Sequence, residues 1–303
     1  MLYNKFSNYL ETKYGEKVYK LPVNIPSTCP NRDGTISSKG CIYCGEEGAG
    51  FETLSNTLSV QYQLKTNMDY IENKYKAKKF IAYFQNYSNT YMPFEQFSSY
   101  ITQSINDRIS AIYISTRPDC ISDGQLDFLK EIQESKNIDI ILEIGLQSVN
   151  DATLKILNRG HTVDDFKQTI KRIESANLGV CAHYIVDLPW DSFEDVIKGA
   201  EFLSELGVNQ VKIHSLYVLD NTVLGDMYKN NQFEPLTLND YIKRVIVFLE
   251  YLSPEIVIQR LIGRSPKERT LFCNWGMSWW KIRDMIEAEM MKRNTFQGKQ
   301  KPR

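Results

Sequence analysis

The chain has 303 residues, 42% hydrophobic and 24% charged, enough to bury a large core in one barrel-sized domain or two small ones. No apolar run approaches the roughly eighteen residues of a membrane span; the longest candidate, 138–146, is interrupted by Asp139 and Glu143. Net charge is only −1, yet residues 260–303 carry eleven Lys/Arg against four Asp/Glu, a tail of +7 behind a body of −8. That asymmetry suits a phosphate-rich partner or a solvated helix face.

The start, Met1-Leu2-Tyr3-Asn4-Lys5-Phe6, has no apolar signal core, and the cysteines show no regular framework, so a cytoplasmic protein with reduced thiols is expected. Short β-branched and aromatic runs then alternate with longer amphipathic stretches, the pattern of repeated βα units and a parallel sheet. A strand is expected at 17–24, followed by a cysteine loop over 26–50 and a helix at 57–74. Strand 79–85 leads to helix 93–106, and strand 110–116 to helix 123–134. Strand 138–146 precedes helices 151–157 and 163–176; in the second, Thr162 can cap, Asp164 and Asp165 favour the first turn, and Phe166, Ile170 and Ile173 form an apolar stripe. Strands 180–187 and 209–218 flank a helix at 192–206. Beyond 220 come a helix near 237–251, a strand near 255–262 and a final helix near 276–291, while 294–303 lacks aliphatic residues and is expected to be mobile.

Six βα units fit an α/β protein with a partial (β/α)6 TIM-like barrel over 1–220 and a C-terminal α/β extension over 221–303 that closes it. A flat doubly wound sheet shares this local pattern. The strand Ile141-Leu-Glu-Ile-Gly-Leu-Gln147 favours the barrel: Glu143, Gly145 and Gln147 share one face, as a polar lumen requires, whereas a doubly covered strand should be apolar on both. In such barrels reactive groups gather at the C-terminal ends of strands, where this chain places Gln85–Thr90, Ser115–Asp119, Gln147, His183, Asp187, Lys212, His214 and Tyr217.

Cys29, Cys41 and Cys44 form a C-x11-C-x2-C cluster among Pro30, Gly34, Gly40, Gly45 and Gly48, and glycines let a backbone pass close to a bulky group. Three thiolates without a fourth suit a [4Fe-4S] cluster with one iron open to an exogenous ligand. A structural zinc site would instead need a fourth ligand from the distant Cys120, His161, Cys181 or His183. Cys120, Cys181 and Cys273 have no C-x2-C spacing of their own and read as buried thiols.

With Tyr43 just before its last cysteine, this loop resembles that of radical S-adenosylmethionine (SAM) enzymes, whose usual C-x3-C-x2-C is here eight residues longer. The segments Cys29-Pro-Asn-Arg-Asp-Gly-Thr35, Ser115-Thr-Arg-Pro-Asp119, Gly145-Leu-Gln-Ser148, Asn158-Arg-Gly-His-Thr162, His214-Ser-Leu-Tyr217, Ile258-Gln-Arg-Leu261 and Trp279-Trp-Lys281 resemble the YtqA/YhcC group of that superfamily. The resemblance implies an open barrel, a [4Fe-4S] cluster on the three cysteines, and reductive cleavage of SAM to a 5′-deoxyadenosyl radical. It implies SAM contacts from Tyr43 against the adenine, Gln147, Arg159 on the carboxylate and His183 on the ribose. Ser115 stands where relatives carry a carboxylate, and Gln85 and Asn86 where coproporphyrinogen oxidase relatives carry a glycine-rich amino-group site. Glu143 and Tyr217 share this mouth, Glu143 meeting ligand or forming an internal ion pair.

The group resemblance further implies tRNA modification, with conversion of a carboxymethylaminomethyl to an aminomethyl side chain on the wobble uridine as the specific reading. A reductase or a flavodoxin or ferredoxin would donate the electron, and Tyr87, Tyr91 and Trp190 could stack on an extruded base. A radical SAM enzyme of a small metabolite or tetrapyrrole, and a noncatalytic metal-binding or electron-transfer protein, are the alternatives.

Overall fold

The computed structural model describes residues 1–45, 53–266 and 268–301, so Gly48 and the end of the expected cysteine loop lie outside the described residues. Strands β1 (Val18–Val23), β2 (Lys79–Phe84), β3 (Ile109–Thr116), β4 (Asp139–Gln147), β5 (Gly179–Ile185) and β6 (Gln210–His214) are followed by β7 (Val218–Leu219), β8 (Val257–Arg260) and β9 (Thr270–Phe272). One parallel sheet runs β1-β2-β3-β4-β5-β6-β8, and β7 pairs antiparallel with β9. The partial barrel is thus present, with a seventh strand drawn from the C-terminal extension. The strand expected over 209–218 stops at His214 and resumes only as β7.

Helices α1 (Phe6–Tyr14), α2 (Val60–Tyr75), α3 (Phe94–Gln103), α4 (Asp123–Lys136), α5 (Asp151–Ile156), α6 (Val163–Ser175), α7 (Phe193–Glu205), α8 (Val223–Lys229), α9 (Leu238–Tyr251) and α10 (Trp279–Lys292) complete the chain. Capping boxes at Ser122, Thr162 and Ser192 start α4, α6 and α7, each satisfying otherwise orphaned amides. The apolar stripes of these helices pack on the outward face of the sheet, where Ile112, Ile140, Leu142, Ala182 and Val211 are fully buried. Among the described residues no helix is long and apolar enough to cross a membrane.

The inward face divides in two. Ile81, Ala111, Tyr113, Ile141 and Cys181 form an apolar bottom with Leu10 of α1, while the residues nearer the strands' C-terminal ends are polar. Helix α1 was not foreseen; its start lies beside the free edge of β8, where the Ile258 amide donates to the Asn4 carbonyl at 2.8 Å. The last residues also depart from expectation. Instead of moving freely, Gln297 is buried, accepting from the Asn4 amide at 2.9 Å and donating to the Ser253 and Ile256 carbonyls at 2.6 and 2.8 Å. Hydropathy misses this docking because it is made with polar side chains that satisfy backbone groups.

Candidate active site

The long gap between Cys29 and Cys41 is a compact structure of its own. The Arg32 amide donates to the Cys29 carbonyl at 2.8 Å, Ile36 to Pro30 at 2.8 Å, and Gly40 to Asn31 at 2.6 Å. Gly40 has φ of 72°, a left-handed turn that favours glycine. The segment Asn158–Thr162 grips this loop: Asn158 Nδ2 donates to the Gly40 carbonyl at 2.6 Å and Ser37 Oγ at 3.2 Å, while the Ile42 amide reaches the Leu157 carbonyl at 3.1 Å.

Arg159 then points from the same segment into the site. Its Nη1 donates to Cys41 Sγ and to Tyr43 Oη, both at 3.3 Å, and its Nη2 to the Gly145 carbonyl at 3.0 Å. His161 accepts from Arg159 through Nε2 at 3.0 Å; burial and then the Arg159 charge push its pKa down to about 3, so it stays neutral. Burial alone would raise the Cys41 thiol, but the charge and hydrogen bond of Arg159 bring it below its ordinary value. Cys44 is pushed up to about 11 by burial and by Cys41, although Arg32 Nη1 donates to its Sγ at 3.5 Å. Two of the thiol sulfurs therefore face guanidinium groups, as suits an anionic centre.

A bulge between Gly145 and Gln147 ends β4, and Gln147 sits at φ of 76°, an uncommon conformation for a residue with a side chain. A Cβ added to Gly145 would fall 2.9 Å from Gln147 Nε2 and 3.0 Å from Arg159 Nη2. Because those atoms end flexible side chains, Gly145→Ala is expected to fold normally yet displace both; where they contact SAM, as the resemblance implies, isothermal titration should show its affinity reduced by about tenfold, equivalent to one lost charged hydrogen bond.

Below this level Glu143 sits fully buried between two lysines. Lys20 of β1 approaches its Oε1, and Lys212 its Oε2 at 2.9 Å, with His183 Nε2 also 2.8 Å from Oε2. Burial opposes ionisation, but Lys20 and Lys212 hold the Glu143 carboxyl well below the usual range. Burial lowers His183 to about 4, against the pull of Glu143. Among the described residues, Glu143, Cys181 and His183 form the one group of three ligand atoms within 4.8 Å of one another. With both Glu143 oxygens held by lysines, that group is a charge network rather than a cation site. All six cysteines are free.

Cys29, Cys41, Cys44, Tyr43, Gln85, Ser115, Glu143, Gln147, Arg159, His183 and Tyr217 all line one cavity of about 520 Å3. Asn86 does not: its Nδ2 donates to Asn24 at 3.3 Å behind the mouth. Of the aromatic residues considered for stacking, Tyr87 lines the cavity, whereas Trp190 packs on Phe233 and Tyr91 pairs with Thr35. Of the other cysteines only Cys181 is buried. Sequence reasoning assigned no role to Arg32, Arg117, Arg260 or Trp279, which also line the cavity; all four lie within quoted segments, which was the available signal.

An open parallel barrel with three free cysteines at its mouth defines the class of protein. The radical SAM superfamily family model matches residues 23–203, and a Radical_SAM C-terminal domain matches 208–292; the chain belongs to the radical SAM superfamily. Within it the chain falls with the YtqA/YhcC group, being 31% identical to YtqA of Bacillus subtilis over 98% of this chain and 92% of that protein. It is 26% identical to a tRNA uridine(34) acetyltransferase of Methanocaldococcus infernus, over 54% of this chain and 30% of the relative. The solved structure of Methanocaldococcus infernus Elp3 with an N-terminal deletion has the same fold, with TM-score 0.70 at 17% identity, over 92% of this chain and 64% of that one. The superfamily uses an iron–sulfur cluster and SAM, and three free thiols at one cavity, two of them facing cationic donors, fit that cluster.

Proposed function

We propose that Cys29, Cys41 and Cys44 hold a [4Fe-4S] cluster, that SAM lies across the adjoining cavity, and that the substrate is the wobble uridine of a tRNA. The observation that carries the reading is the convergence of the three thiols, Arg159, Gln147 and Tyr43 on a single cavity. When bound, the cluster and SAM supply reductive S–C5′ cleavage and a 5′-deoxyadenosyl radical able to take hydrogen from an unactivated carbon. The chain's own residues bind and orient. Arg159 offers a guanidinium fork to the SAM carboxylate, Tyr43 and Tyr217 give flat surfaces for the adenine, and His183, neutral at physiological pH, can hydrogen-bond the ribose. The apolar bottom sealed by α1 helps keep bulk water from the reacting atoms.

The rim of the cavity supports a nucleic-acid substrate. Trp279 lines it, with the guanidinium groups of Arg264 and Arg283 4.9 and 5.5 Å from the ring centroid, and beside it Trp280 is 46% exposed with Lys281 5.5 Å from its ring. Aromatic faces next to cations suit an unstacked base and its phosphates. The relative named for tRNA uridine 34 points to the wobble position, and removal of a carboxymethyl group from a carboxymethylaminomethyl side chain is the specific reaction proposed, with a reductase or a flavodoxin or ferredoxin as electron donor. In tRNA from cells lacking this protein, nucleoside mass spectrometry should show carboxymethylaminomethyluridine accumulating at the expense of aminomethyl derivatives. An unaltered profile would turn the assignment toward a small metabolite or tetrapyrrole.

A further inference from the structure

The polar floor of the barrel has more positive charge than its acid can balance. Lys20, Lys212 and Arg260 face a single carboxylate, Glu143, whose two oxygens are already engaged by the lysines and His183. The histidines do not add to this excess, since burial keeps His183 and His214 neutral. Arg260 is the cation least accounted for. Its Nη2 donates to the neutral ring of His214 at 2.7 Å, its shielded Nε has no partner, and it forms no ion pair among the described residues. A half-buried guanidinium with a shielded, unpartnered N–H and no ion-pair partner among the described residues is costly, and part of the cost is recovered when an anion arrives.

Strand register fixes where that anion would sit. Gly145, His183, Lys212 and Arg260 are successive cross-strand partners on β4, β5, β6 and β8. The cations therefore lie along one rung, running from beneath Arg159 toward the opposite edge of the sheet. Lys20 Nζ reaches Gln259 Oε1 at 2.7 Å and ties β1 to β8 across the barrel's open side. Arg260 and Lys212 line the same cavity as the three cysteines, so a group held there is inside the reaction chamber.

We propose that Arg260, assisted by Lys212, is the subsite for a carboxylate on the substrate. A planar carboxylate matches the outer Nη1–Nη2 edge of the guanidinium in a two-bond fork. The inference rests on the uridine reading above and deepens it: the acid end of a carboxymethylaminomethyl arm is the part recognised, and loss of that end would release the product. Arg260 is assigned as a specificity-determining residue.

The test measures binding with the cluster-loaded protein saturated with S-adenosylhomocysteine, which supplies no radical. Calorimetry would compare two matched pairs of probes, carboxymethylaminomethyluridine with aminomethyluridine, and N-benzylglycine with benzylamine, together with inorganic phosphate. The wild type should favour each carboxylate over its amine by about tenfold or more, the scale of a charged hydrogen bond. Arg260→Gln should abolish the preference and Arg260→Lys restore part of it, with circular dichroism reporting intact fold. A preference seen only with the benzyl pair leaves the subsite standing and removes the uridine. Phosphate binding tighter than either acid, or a carboxylate preference that survives Arg260→Gln and Lys212→Met in folded protein, overturns the proposal.

Discussion

Cys41→Ala, purified without oxygen, is expected to lose the visible absorption of its cluster and all SAM cleavage. Cys41 is the most enclosed of the three loop thiols, and its Sγ accepts from both Arg159 Nη1 at 3.3 Å and Asn31 Nδ2 at 3.4 Å. Removing the sulfur takes away one of the three proposed ligands and leaves Arg159 with one acceptor fewer at the site. Two thiolates cannot substitute for a set already one short of the usual four. Cys273→Ala, at a half-buried thiol outside the cavity, should keep both signals. Retained absorption and cleavage in Cys41→Ala would show that the cluster is held elsewhere.

Glu143→Ala should lower folding stability by about 3–5 kcal/mol, because breaking a buried ion network leaves cations without compensation. Glu143 is 1% exposed, and among the described residues it is the one carboxylate that pairs with Lys20 and Lys212. The deficit is read as a shift of the urea unfolding midpoint at constant slope. Its pH dependence has a definite sign. The Glu143 pKa is depressed in the folded protein, so its contribution is fully present above the ordinary value of 4.5 and fades as pH falls through the depressed one. Lys212 is lowered by burial, against Glu143, to about 8 from 10.5, so folding gains stability as pH rises across that interval. Without Glu143 that interval should extend to lower pH, and the variant should recover part of its loss in alkali. A midpoint equal to wild type at pH 7 would mean that the lysines find other partners.

Much of this architecture was legible because it is written in local patterns. The alternation of Glu143, Gly145 and Gln147 with aliphatic neighbours places one face of β4 toward a polar lumen, and the structure shows that lumen. Cap residues such as Thr162 announced their helices. Helix α1 was missed although Phe6, Tyr9, Leu10 and Tyr14 pack on the barrel bottom at helical spacing, because only Leu10 among them is aliphatic and the segment is otherwise polar. The docked terminus escaped because Gln297 acts through hydrogen bonds that hydropathy does not weigh. In the site, the cysteines were readable from spacing, whereas Asn86 was misplaced: adjacent residues after a strand point to opposite sides, and only Gln85 faces the cavity. Arg260 and Trp279 could not be placed from sequence alone, since β8 carries Arg260 into a sheet begun about 240 residues earlier and Trp279 reaches the cavity from the start of α10.

The central claim is that the cysteine tripod leaves one iron open for SAM. Mössbauer spectra of the iron-57-loaded wild type, recorded with and without SAM, test it most directly. The account predicts about four irons per chain, of which about one quarter of the signal moves to a higher isomer shift when SAM binds. Iron that responds to SAM at no site, or a preparation active with zinc in its place, would contradict it.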